Sequence, residues 1–173
     1  MARESLDTDP GRTGRLLDRA LPTLRSTVAE VRSVVHGLRP PALDDLGLTG
    51  AVGELAASFA GPRLAVRVET QGDMTGLPAA TEVATYRIVA EALNNASRHA
   101  GASEVLLSMR REGDRVLVSV EDDGRGLAAD DVPGVGLASM ASRAEEVGGS
   151  LGVGTGARGR GTLVRAVLPA VAS

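Results

Sequence analysis

Hydrophobic positions change their spacing several times along the 173 residues, and each change predicts an element. Residues 1–9 are polar and read as a disordered N-terminus. From Pro10 to Arg39, Leu17, Leu21, Leu24, Val28, Val31, Val35 and Leu38 alternate spacings of four and three. That is the a/d seam of a coiled coil or helix bundle, so 10–39 is expected to be a long helix. Pro22 falls inside it and predicts a kink or break there. One helix cannot bury such a seam alone, which favours pairing between subunits through 17–38 over packing on the chain's own domain. Arg39-Pro40-Pro41 ends the run, because proline disfavours helix at the residue before it. The stretch 40–48 reads as a linker, with a domain over 49–170 after it.

Within that domain, Leu48, Val52, Leu55, Ala56 and Phe59 form one side of a helix over 48–60. Leu64, Val66 and Val68 alternate along a strand over 63–69. A long helical run follows over 78–100. Alternation returns at 104–110 and 115–121, joined by a turn at Arg111-Glu-Gly-Asp114. After a glycine-rich loop, Leu137, Met140, Ala141, Ala144 and Val147 mark a helix closed by Gly148-Gly149. A last strand pair occupies 150–153 and 161–168. This order predicts an α+β architecture, a mixed sheet with its helices on one face.

Composition narrows the function. Net charge is −3 and the pI about 5.4, which argues against a nucleic-acid partner. Phe59 and Tyr86 are the only aromatics, too few for a base-stacking platform. The chain has no Cys, so thiolate metal sites are excluded. Every basic residue is Arg. Without Lys there is no P-loop lysine and no Schiff-base chemistry. Nothing at the N-terminus reads as a signal peptide, and no apolar run is long enough to span a bilayer. The chain reads as a cytoplasmic, soluble fragment, with a membrane anchor left open for a longer protein.

The chemistry gathers in three places. At about 100° per residue, Glu91, Asn95 and Arg98 lie within about 40° of each other, opposite the stripe of Tyr86, Val89, Leu93, Ala96 and Ala100. Asn is a poor helix former, so an acid, an amide and a cation on consecutive turns suit a metal and a polyphosphate. A merely charged face with one incidental Asn fits that helix equally well. Glu121-Asp-Asp-Gly-Arg-Gly-Leu127 follows a strand: Asp122 offers an acceptor-only carboxylate suited to a purine's exocyclic amine. Gly124 and Gly126 let backbone approach a flat ring. A plain Asp-Gly turn explains that stretch alone. Pro133-Gly-Val-Gly-Leu137 opens a helix, where free N–H groups receive phosphates. Gly159-Arg-Gly-Thr162 is the last and weakest motif.

Their order is more specific than any one of them. The chain resembles the ATP-binding catalytic domain of two-component sensor histidine kinases, in the Bergerat-fold (GHKL) superfamily shared with gyrase and MutL. Leu-Arg-Pro-Pro-Ala-Leu-Asp-Asp-Leu-Gly-Leu (38–48), Glu-Ala-Leu-Asn-Asn-Ala-Ser-Arg-His-Ala (91–100) and Gly-Leu-Ala-Ser-Met-Ala-Ser-Arg (136–143) resemble the nitrate-sensor-type subfamily. The resemblance implies a two-layer α/β sandwich behind a dimerisation-type helix. It implies ATP and Mg²⁺ as ligands, with Asn95 on the metal and Glu91 beside it through water. Arg98 and His99 would face the phosphates, and Asp122 would bind adenine in a pocket shaped by Gly124 and Gly126. Leu127–Pro133 would be a short lid. Gly134, Gly136 and Leu137 would admit the phosphate chain, and Thr162 would sit near adenine.

The resemblance further implies an acceptor histidine on a hairpin of the same kinase, and a response regulator as the next recipient. Residues 10–38 resemble only the second helix of that hairpin. His36 precedes Gly-Leu-Arg-Pro and reads as structural, so the chain alone is not expected to phosphorylate itself. A non-catalytic nucleotide-dependent regulator is the rival reading. An anti-sigma-type serine-protein kinase shares the fold, but the heptad helix and the Leu-Arg-Pro connector match it poorly. A slow ATPase like the gyrase relatives is disfavoured by the short lid.

Overall fold

The computed structural model describes residues 39–126, 135–157 and 159–171. The expected heptad helix with Pro22 and His36, the pairing seam 17–38, the lid Leu127–Pro133 and Gly134 lie outside the described residues. The compact unit begins at Pro40.

Helix α1 (Pro41–Phe59) carries proline at its first position, where a missing N–H costs nothing. The stretch expected to be a linker is therefore helical, up to a break at Gly47 with φ of 64°. Burial explains the difference. Leu43 and Leu48, on either side of the break, are both core residues, and glycine takes the left-handed turn between them without strain. Strand β1 (Ala65–Gln71) starts two residues later than the alternation places it. Gly61 and Leu64 close a tight bridge first, with the Gly61 N–H donating to the Leu64 carbonyl at 2.9 Å.

Helix α2 (Ala79–Asn95) runs into a π turn (Ala96–Ala100), ended by Gly101 at φ 62°. Strands β2 (Glu104–Glu112) and β3 (Arg115–Asp122) form the expected hairpin around Gly113. Helix α3 (Val135–Glu146) begins two residues before Leu137. Strands β4 (Ser150–Thr155) and β5 (Thr162–Pro169) complete one sheet of order β1-β2-β3-β5-β4. Among the described residues only β1 and β2 pair in parallel. A parallel pair requires a crossover, and α2 with its π turn is that crossover.

The sheet has two unlike faces. Val105, Leu107 and Met109 of β2, Val116, Val118 and Val120 of β3, and Val164, Ala166 and Leu168 of β5 are all buried. They form one core with Val52 of α1, Ile88, Val89 and Leu93 of α2, and Met140 and Ala144 of α3. The alternate positions, among them Leu106, Ser108, Leu117 and Ser119, are only half-buried. Among the described residues the helices thus cover one face, the two-layer α+β arrangement that the alternation predicts. Thr81 ties α2 to the far end of β5, its hydroxyl donating to the Pro169 carbonyl at 2.9 Å.

Candidate functional site

Two clusters of the expected residues form at the carboxyl ends of α2 and β3. The first surrounds Asp122, the last residue of β3. It is 8% exposed, low for an acid, and its Oδ1 accepts the Gly124 N–H at 2.9 Å. Gly161 packs so tightly here that a Cβ on it would fall on the Asp122 carbonyl. A Cβ on Gly126 would stand 3.1 Å from the Gly161 carbonyl. The β3–β5 register ends at Glu121↔Leu163; one step further it sets Thr162 opposite Asp122. Asp122, Gly124, Gly126 and Thr162 therefore share one corner of the fold.

The second cluster is Glu91, Asn95 and Gly136. Helices α2 and α3 pack so that a Cβ on Gly136 would collide with Glu91 Oε1, and it would lie 3.5 Å from Asn95 Nδ2. Both α2 side chains are half-buried. Leu137, also half-buried, follows at the opening of α3.

The π turn bridges the two clusters. The Ala100 carbonyl accepts the Arg125 N–H at 2.9 Å, and a Cβ on Gly124 would stand 2.5 Å from that same oxygen. The end of the Asn95 helix is thus pinned on the Asp122 loop, over backbone that only glycine permits.

The π turn also alters one expectation. An i→i+5 turn is wider than an α turn, so rotation per residue falls after Asn95. Arg98 and His99 swing off the line through Glu91 and Asn95, and both are exposed. Apolar periodicity carries no signal for one extra residue per turn. Among the described residues no group of three His, Cys, Asp or Glu side chains could hold a metal. Glu91 and Asn95 supply one carboxylate and one amide, too few for an all-protein cage. They do suit a Mg²⁺ that takes its remaining oxygens from phosphates and water.

Sequence reasoning missed the two acids that flank Asp122. Strand alternation points Glu121 away from the helices, and the Asp123 carboxylate lies behind the loop as well. Both line a cavity of about 240 Å³, together with Asp122 itself and with Arg67, Glu104, Leu106 and Arg160. The signal was present: alternation along β3 puts the Glu121 side chain on the face opposite Val120 and Asp122.

Known proteins resemble the chain in sequence and in fold. The family model described as "Histidine kinase-, DNA gyrase B-, and HSP90-like ATPase" matches residues 80–172. Sensor histidine kinase MctS of Rhizobium johnstonii is 33% identical over 159 residues, 88% of this chain and 34% of its own length. Sensor histidine kinase LiaS of Bacillus subtilis is 32% identical over 142 residues, 81% of this chain and 39% of its own. The solved histidine kinase domain of the blue-light activated kinase of Erythrobacter litoralis is 27% identical, with a TM-score of 0.56. That match covers 72% of this chain and 59% of that one. The chain spans about a third of the length of the relatives it matches.

Proposed function

The chain belongs to the family of histidine kinase-, DNA gyrase B- and HSP90-like ATPases, and from that premise we propose that it is the Mg·ATP-binding catalytic region of a two-component sensor histidine kinase. It delivers the γ-phosphoryl of ATP to a histidine on another segment, the acceptor hairpin of the same kinase, and a response regulator then receives it. The observation that supports this most directly is Gly136 lodged against Glu91 and Asn95. A Cβ at 136 would take the space the Glu91 carboxylate fills beside Asn95, so glycine there keeps the acid and the amide together at the start of α3.

In this reading Asp122 accepts the exocyclic amine of adenine, and Gly124 and Gly126 keep Cβ atoms clear of the ring. Thr162 lines the same end. The first turn of α3, from Val135 through Gly136 and Leu137, offers N–H groups to the phosphate chain, and Gly134 just before it in sequence is read into the same role. Asn95 gives an amide oxygen to Mg²⁺, and Glu91 holds a water of its shell. Magnesium, when bound, neutralises charge on the transferring group. Arg98 and His99 reach phosphate oxygens from the π turn. The chain contributes binding and orientation, and the covalent bond forms on the acceptor imidazole. Pairing of two copies through 17–38 and a cytoplasmic setting belong to the same proposal. Among the described residues no helix is long and apolar enough to cross a membrane.

The test is nucleotide titration with and without Mg²⁺ on wild type, Asn95→Ala and Asp122→Ala. Asn95→Ala is expected to lose the Mg²⁺ increment and Asp122→Ala to weaken binding with or without metal. Equal affinity in all three disposes of the site. Labelled ATP with a separately supplied acceptor hairpin then separates a kinase from a nucleotide-dependent regulator, since only the kinase labels the hairpin.

A further inference from the structure

Behind Asp122, on the side away from the helices, the carboxylate of Asp123 is almost fully engaged. Its Oδ1 accepts the N–H of Ser103 at 2.8 Å and of Glu104 at 2.9 Å. Its Oδ2 accepts the Ser103 hydroxyl at 2.7 Å and lies 3.6 Å from the Arg160 guanidinium. The Asp123 N–H donates back to the Glu104 carbonyl at 3.2 Å. Glu121 works on the neighbouring turn: its Oε1 accepts the Ala157 N–H at 2.6 Å. A Cβ on Gly156 would stand 2.9 Å from that same oxygen.

These bonds converge on the Asp122 corner from two segments. Ser103 and Glu104 lie just past Gly101 and Ala102, which follow the π turn leading from the Asn95 helix into β2. Arg160 and Ala157 flank the turn whose Gly161 abuts the Asp122 carbonyl. On its other side the loop is held by backbone bonds, the Arg125 N–H on the Ala100 carbonyl and the Gly124 N–H on Asp122 Oδ1. Gly124 and Gly126 bring no side chains, and glycine-rich backbone is the most costly in entropy to keep fixed. A carboxylate that must meet one amine needs its backbone fixed to a fraction of an ångström.

We propose that Asp123 is a positioning residue for nucleotide binding, with Glu121 as its companion. From the back of the sheet it fixes the 122–126 loop against residues 100–104, so that Asp122 stays aimed at the purine. It touches no nucleotide. This rests on the reading of Asp122 as the adenine ligand.

The experiment compares wild type, Asp122→Ala, Asp123→Ala and Asp123→Asn in the full chain, titrated with ATP, GTP and magnesium tripolyphosphate, with folding followed by circular dichroism. Asp123→Ala is expected to weaken ATP about tenfold. Its ATP-over-GTP preference narrows, because guanine offers an oxygen where adenine offers the amine. Tripolyphosphate binding stays within about twofold, since the phosphate end is untouched. Asp123→Asn keeps an oxygen for both backbone N–H groups and stays within about threefold of wild type.

Unchanged ATP affinity in Asp123→Ala, with Asp122→Ala weakened, overturns the positioning role alone. Equal weakening of ATP and tripolyphosphate also overturns it, because that reports general loosening. If Asp122→Ala binds as wild type does, the adenine reading and the brace built on it fall together. Should Asp123→Ala fail to fold, a double variant, Ser103→Ala with Arg160→Ala, decides. It leaves both backbone bonds in place and is expected to weaken ATP about threefold; unchanged affinity overturns the role.

Discussion

Two glycines at the site look alike in sequence and differ in what a methyl group would meet. At Gly161 the obstacle is the Asp122 backbone carbonyl, and φ is 72°. Neither can yield cheaply, so Gly161→Ala is expected to lower stability by about 2–3 kcal/mol, read as a fall in the urea midpoint. At Gly136 the obstacle is the end of the Glu91 side chain, which rotates away at little cost. Gly136→Ala is therefore expected to leave stability within about 0.5 kcal/mol. The displaced carboxylate no longer stands beside Asn95, and Mg²⁺-dependent nucleotide affinity drops about tenfold. A Gly136→Ala protein that binds Mg·ADP like wild type would remove Glu91 from the site.

At the scale of elements, α2 is the crossover between the parallel strands, and one face of it is buried along its length. That face includes two threonines, Thr81 and Thr85, each essentially without solvent access. Thr81 has the Pro169 carbonyl as a partner; the Thr85 hydroxyl is buried with no hydrogen-bond partner among the described residues. Thr85→Val replaces that hydroxyl with a methyl of similar shape and is expected to stabilise by about 1 kcal/mol. Thr81→Val strands a carbonyl and destabilises by about as much. Paired thermal melts check both signs, and a destabilised Thr85→Val would mean that the hydroxyl has a partner.

The same elements show what a pattern of apolar residues can and cannot reveal. Strands β2, β3 and β5 were legible because Val105 to Met109, Val116 to Val120 and Val164 to Leu168 alternate against one covered face. The start of α1 was not, because Arg-Pro-Pro and Gly47 read as loop chemistry while Leu43 and Leu48 are held by tertiary burial. The π turn left no periodic trace. The bracing by Glu121 and Asp123 depends on which segments the fold brings behind β3, and spacing in sequence does not encode that.

At the scale of the whole molecule, the described residues from Pro40 onward are built on one sheet and one core, and Asp123 ties the start of β2 to the turn between β4 and β5. Hydrogen bonds hold the Asp123 carboxyl down from 3.8 to about 2, the Glu104 N–H weighing most, ahead of the Ser103 hydroxyl, the Ser103 N–H and Arg160. A carboxyl depressed in the folded state adds stability that is complete above its unfolded value and fades as pH falls toward its folded one. The loss contributed by Asp123 therefore falls between 3.8 and about 2. Acid also leaves 19 arginines without their 22 carboxylate counter-charges, and self-repulsion then destabilises the fold regardless of this residue. Asp123→Asn separates the two effects, since it cannot titrate while every other charge remains. Urea midpoints followed from about pH 6 down to about pH 2 should show wild type above Asp123→Asn by a constant margin until the pH nears 3.8. Below that the two curves converge. Parallel curves down to the lowest pH would mean that the Asp123 carboxyl is not held as its bonds imply, and that the back of the sheet does not brace the loop in front of it.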